Sequence, residues 1–175
     1  SGVAQTGTGK KLAFGIPMIQ GALVGKQGLI VLPTRELALQ VAETFQKIGG
    51  VFHLRTALLI GGESIGRQIQ WLRRNPHIII GTPGRIIDHL EQKTISLEHI
   101  TVLVLDEADR MLDMGFAPQL KRILQHVPRE RQTMLFSATM PENIIFIARS
   151  YMKLPVRVEI APSGTLVEKV TQELF

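Results

Sequence analysis

The chain contains no cysteine. Disulfide scaffolds and thiolate metal sites are excluded together, and the absence fits a cytoplasmic protein. No apolar run approaches the roughly 20 residues needed to cross a bilayer, so no membrane partner is expected. No charged-then-apolar leader opens the chain, and neither an internal repeat nor a low-complexity tract is found. The five histidines, His53, His77, His89, His99 and His126, show no metal-ligand spacing. Aromatic residues make up only 5% of the chain.

What is present is a chain of 175 residues with 45% hydrophobic content, enough for one domain with a substantial core. Twenty Lys and Arg against 15 Asp and Glu give a formal charge of +5. That excess permits polyanion binding, and a solvated basic surface accounts for it equally well. More telling is that several arginines stand beside Gly and Pro in expected loops.

Short β-branched and aliphatic runs recur at Leu29–Leu32, Thr56–Ile60, Ile78–Ile80, Val102–Leu105, Thr133–Phe136 and Val156–Ile160. Near-continuous apolar strands of this kind belong to sheets buried on both faces. Between them, Leu37, Val41, Phe45 and Ile48 share a helical face, as do Ile65, Ile69 and Leu72 after a Ser64 cap, and Leu120, Ile123 and Leu124. The alternation predicts an α/β fold with a mostly parallel central sheet and helices on both faces.

Ligands of such sheets bind at the carboxyl ends of the strands. Five polar clusters stand there, each directly after an apolar run: Pro33-Thr34-Arg35, Gly61-Gly62, Gly81-Thr82-Pro83-Gly84-Arg85, Asp106-Glu107-Ala108-Asp109 and Ser137-Ala138-Thr139. They are expected to form one working face. Domain bounds of 1–160, with 161–175 the start of a linker, follow from Ala161-Pro162-Ser163-Gly164-Thr165. Gly2-Val3-Ala4 reads as the end of a strand whose beginning lies upstream.

The stretch Ala4-Gln5-Thr6-Gly7-Thr8-Gly9-Lys10-Lys11 has the composition of a phosphate cradle. Small residues free backbone N–H groups to converge on an anion, a helix start adds its positive end, and Lys10 can reach terminal phosphates. One position departs from that pattern. A hydroxyl that ligates Mg²⁺ ordinarily follows the lysine, and here it is Lys11.

Asp106 and Glu107 can divide two tasks of nucleotide hydrolysis. Asp106 holds Mg²⁺, directly or through water, and Glu107 orients and deprotonates the attacking water. Read alone, the pair is an acidic helix start; beside a phosphate cradle the catalytic reading is preferred. Ser137 and Thr139 either cap a helix before Pro141-Glu142 or bond Asp109, and spacing does not choose between these. Arg35, Gly61, Gly62, Thr82 and Arg85 suggest a phosphate track that reads backbone and not sequence. Taken singly, Arg35 is as well explained as a partner of Glu36 or a solvated first-turn residue. No aromatic residue interleaves with the track, which argues against base stacking. Trp71 with Arg73 and Arg74 reads better as a half-buried Trp than as a nucleic-acid patch.

In order and content these clusters resemble the first RecA-like domain of the DEAD-box RNA helicases, of a bacterial type. The resemblance implies an ATP-dependent RNA helicase with a RecA-like P-loop fold, using ATP and Mg²⁺. It implies that Gly7, Gly9 and Lys10 hold phosphates, Asp106 the metal and Glu107 the water. Ser137 and Thr139 would couple hydrolysis to strand separation, and Pro33, Thr34, Arg35, Gly62, Thr82, Gly84 and Arg85 would line the RNA backbone path. A second RecA-like domain, expected to complete the site, is not in these 175 residues, so the fragment alone is expected not to unwind. Two alternatives stand beside this one: a non-catalytic RNA-binding module whose ATPase is impaired by Lys11, and a DNA-directed translocase of the same superfamily.

Overall fold

The computed structural model describes residues 13–153 in full, the backbone of residues 2–12, and two short strands beyond, Arg157–Val158 and Val170–Thr171. The strands β1 (Gln27–Val31), β2 (Thr56–Leu59), β3 (Ile78–Gly81), β4 (Ile100–Leu105) and β5 (Gln132–Leu135) form one sheet in the order β2-β3-β1-β4-β5. Every pairing is parallel. One extra residue in β4, at Thr101, shifts its register against Gln27 and Gly28.

Alternate residues of each strand enter separate cores, as a doubly covered sheet requires. On one face, Ile30, Ile80 and Val104 pack with Phe14 and Met18 of α1 (Gly2–Leu23) and with Val41 and Phe45 of α2 (Arg35–Phe52). On the other, Leu29, Ile79 and Leu103 meet the helices α3 (Ile65–Arg73), α4 (Pro83–Glu91), α5 (Ala108–Asp113), α6 (Ala117–His126) and α7 (Glu142–Tyr151). At Gly28 the closest approach of α1 leaves no space for a Cβ, which would run into Met18 Sδ.

Two expectations need correction. Gly2-Val3-Ala4 lies inside α1 and not at the end of a strand. Extending a helix that is already nucleated fixes one residue per new hydrogen bond, whereas three lone strand residues pair with nothing. Of the run Val156–Ile160, the described residues Arg157–Val158 (β6) do not join the parallel sheet but pair antiparallel with Val170–Thr171 (β7).

Helix α3 also departs from its pattern. Ile65, Ile69 and Leu72 are half-buried, while Gln68 is the helix's fully buried residue. Trp71 is half-buried against the core, as expected.

Candidate functional site

The ladder hydrogen bonds continue one residue past the strands and so fix where the loops emerge. Thr82 N donates to Leu59 O, Asp106 N to Val31 O and Phe136 N to Leu105 O, at 2.9–3.1 Å. Asp106 is thereby delivered at the end of the central strands with only 6% of its surface exposed. Its Oδ1 accepts from Glu107 N at 2.9 Å. Glu107 itself stands in the left-handed region, at φ 50° and ψ 50°. A non-glycine residue there stores roughly 1–3 kcal/mol of strain.

The first turn of α5 shows what maintains this turn. The first backbone N–H groups of a helix lack intrahelical partners. Here Ala108 N donates to Phe136 O (2.9 Å), Asp109 N to Ser137 Oγ (3.3 Å) and Arg110 N to Asp109 Oδ1 (3.0 Å). Thr139 closes the arrangement, its N and Oγ1 donating to Asp109 Oδ2 at 3.2 and 3.0 Å, while Ser137 Oγ donates to Thr139 O at 2.6 Å. Of the two readings of Ser137 and Thr139, geometry favours the bond to Asp109, because α7 is preceded by Pro141 with no side-chain cap.

Among the described residues no cluster of three His, Cys, Asp or Glu could cage a metal. Asp106 and Glu107 instead match the donor set of Mg²⁺, which takes one or two carboxylates and completes its shell with phosphate oxygens and water. The expectation that Ala4, Gln5, Thr6, Gly7, Thr8, Gly9, Lys10 and Lys11 form a loop ahead of a helix start needs correction: their backbone runs inside α1, where N–H groups beyond the first turn are spent on the carbonyls four residues back. Their side chains lie outside the described residues.

The phosphate-track residues converge. Pro33, Arg35, Gly61, Gly62, Thr82, Gly84 and Arg85 line one open groove of about 500 Å³, together with Asp88 and Phe116. Arg35 and Arg85 stand in the first turns of α2 and α4, helix ends whose partial positive charge favours anions. Arg35 does not pair with Glu36. Its Nη1 donates to Gly61 O at 2.8 Å and its Nη2 lies 3.7 Å from Glu63 Oε1. Gly62, at φ +77°, makes this possible, since a Cβ there would run into Arg35 Nη1. Thr82 caps nothing with its side chain. Thr34 does not line the groove; its Oγ1 accepts from Leu37 N at 3.3 Å and caps α2.

Four residues here escaped sequence reasoning. Phe116 corrects the expectation that no aromatic stands at the track, and it comes from far along the chain after the Gly115 turn. Asp88 sits one helical turn beyond Arg85, its Oδ2 3.4 Å from Arg85 Nε; that i,i+3 spacing was the available signal. Gln68 and His89, both fully buried, lie behind Arg85 and carried no signal.

Burial and the charge of Arg85 push the His89 pKa below the usual histidine value, and burial with Arg55 does the same for His77, whose Nδ1 accepts from Arg55 N at 2.9 Å. Because the folded values lie below the unfolded 6.5, the unfolded chain takes up protons first on acidification. This part of the stability is present above pH 6.5 and is lost as the pH falls below it. Melting temperature is expected to drop between pH 7 and 5.5, and His89→Gln should flatten that limb. An acid limb unchanged in both His77→Asn and His89→Gln would contradict the assignment.

A family profile described as DEAD/DEAH box helicase matches residues 1–147. The chain is 51% identical over 174 residues to the DEAD-box ATP-dependent RNA helicase CshA of Geobacillus kaustophilus, covering 98% of this chain and 37% of that protein. It is 51% identical to the ATP-dependent RNA helicase CshA of Listeria monocytogenes, over 91% of this chain and 31% of the relative. The chain thus spans about a third of these relatives. Among solved structures, a hypothetical ATP-dependent RNA helicase from Sulfolobus tokodaii aligns with a TM-score of 0.77 at 38% identity, covering 84% of this chain and 43% of that one. The yeast DEAD-box splicing factor Prp28 aligns with a TM-score of 0.76 at 35% identity, over 85% of this chain and 38% of that one.

Proposed function

This chain belongs to the DEAD/DEAH box helicase family, and on that premise we propose that it is the nucleotide- and RNA-binding half of an ATP-dependent RNA helicase. The observation that carries the RNA reading is the groove. Residues of the expected backbone track from three separate stretches line one cavity with two arginines and two helix starts. Contacts of that kind position a phosphodiester backbone and carry no base sequence.

On the nucleotide side, Gly7, Gly9 and Lys10 hold the phosphates, Asp106 takes the metal and Glu107 draws a proton from the attacking water. Mg²⁺ bound there supplies charge neutralisation to the phosphates. Asp109, tied to Ser137 and Thr139, joins the turn bearing Glu107 to the loop after β5, and we assign it the coupling of hydrolysis to the RNA path. Alone, these 175 residues, which span about a third of the relatives' length, are expected to bind RNA weakly and to hydrolyse ATP barely.

The test is salt-dependent RNA binding and RNA-stimulated ATP hydrolysis by the full-length protein. Arg35→Ala is expected to weaken binding to unrelated RNA sequences alike and to lower the salt slope by about one. Base-dependent losses, or stimulation by DNA equal to that by RNA, would count against the reading.

A further inference from the structure

Arg85 lines an open groove, yet its side chain is only 15% exposed. A guanidinium that deep needs acceptors for its N–H groups. Nη1 donates to Glu63 O at 3.1 Å and to Gln68 Oε1 at 3.3 Å. Nε lies 3.4 Å from Asp88 Oδ2 but outside hydrogen-bond geometry. Among the described residues, Gln68 therefore provides the side-chain hydrogen bond that Arg85 makes.

The orientation of Gln68 is determined by its surroundings. Its Nε2 donates to Ile60 O at 2.8 Å, which leaves Oε1 as the acceptor. Oε1 receives both Arg85 Nη1 and His89 Nε2, the latter at 2.8 Å, and so uses both lone pairs. His89 then carries its proton on Nε2, and the single Thr94 hydroxyl hydrogen goes to Nδ1 at 2.7 Å in preference to His89 O at 3.1 Å, a carbonyl already served by Thr94 N at 3.0 Å. This neutral tautomer satisfies every polar atom of the chain Ile60–Gln68–His89–Thr94. Turning the amide over would face Oε1 with a carbonyl and Nε2 with two donors. A buried network with one consistent proton arrangement specifies one geometry.

We infer that Gln68 is a positioning residue that holds Arg85 in the groove, with His89 and Thr94 fixing it from behind. The inference rests on the RNA reading of the groove. An arginine already oriented loses less side-chain entropy when it binds phosphate.

The test uses the full-length protein and a single-stranded RNA. Gln68→Met keeps the volume and suits a helix while removing both polar atoms. It is expected to raise the Kd for RNA about five- to tenfold, on the scale of one net hydrogen bond. The RNA KM of the ATPase should rise with kcat at saturating RNA unchanged. In an Arg85→Ala background the same change should weaken binding no further. Equal losses in both backgrounds, or a fall in kcat, would overturn the inference. Should Gln68→Met fail to fold, the guanidinium NMR signals of the unaltered protein decide: restricted Nη rotation at Arg85 is expected, and averaging like that of exposed Arg73 would refute it. An RNA affinity untouched by Arg85→Ala would instead defeat the groove reading, and the guanidinium signals would still report on Gln68.

Discussion

Glu107→Gln in the full-length protein is expected to slow RNA-stimulated ATP hydrolysis by about 10²-fold or more, the low end of what a positioned general base contributes. Nucleotide affinity should stay within a few-fold. The substitution preserves side-chain shape and asks the same left-handed backbone of its residue, so the turn after β4 is retained. The lost ion pair with Arg110, at 3.4 Å and half exposed, is worth little. What disappears is the carboxylate's capacity to take a proton from water. Steady-state hydrolysis alongside a nucleotide-binding isotherm separates the two effects. Hydrolysis within threefold of the unaltered enzyme would remove Glu107 from the chemistry.

Lys11→Thr is expected to tighten Mg²⁺ binding to the nucleotide-bound protein by tenfold or more and to speed hydrolysis. An ammonium cannot ligate a metal. Held about 4 Å from a unit positive charge it costs roughly 4 kcal/mol at an effective dielectric of 20. On the proposed reading Lys11 would swing towards the phosphates or out to solvent, with water in the hydroxyl's place. Nucleotide affinity is expected to persist, because on the proposed reading Lys10 still reaches the phosphates. Mg²⁺ titration against bound nucleotide reads the effect directly, and equal metal affinity in both proteins would refute it. Equal hydrolysis rates would sink the alternative in which Lys11 has abolished the ATPase.

The fold was largely legible because buried parallel strands leave a short, strong signature, and all five strands of the main sheet coincide with runs such as Ile78–Ile80 and Val102–Leu105. The working face followed from the rule that ligands sit at strand carboxyl ends; Arg35, Gly62 and Arg85 share a cavity although no local pattern joins them. Gln68 shows where such reading stops. Three apolar neighbours defined the face of α3, and nothing local revealed that the buried position is polar, because its partners Ile60, Arg85 and His89 belong to other elements. Phe116 was missed for a related reason, since a loop residue acquires its neighbours only through tertiary structure. Val156–Ile160 misled because apolar content alone does not tell which sheet a strand joins.

The strand order has a consequence for the nascent chain. Central β1 pairs with β3 and β4, and neither follows it directly. At ribosomal rates of roughly 5–20 residues per second, the stretch from Val31 to Leu105 takes about 4–15 s to appear. Through that interval Leu29, Ile30 and Val31, all fully buried in the finished fold, have no sheet partner on the β4 side. Long-range parallel pairing of this kind is slow and exposes apolar edges meanwhile. Synthesis of this domain thus passes through a window in which its central strand is the segment in greatest need of chaperone protection.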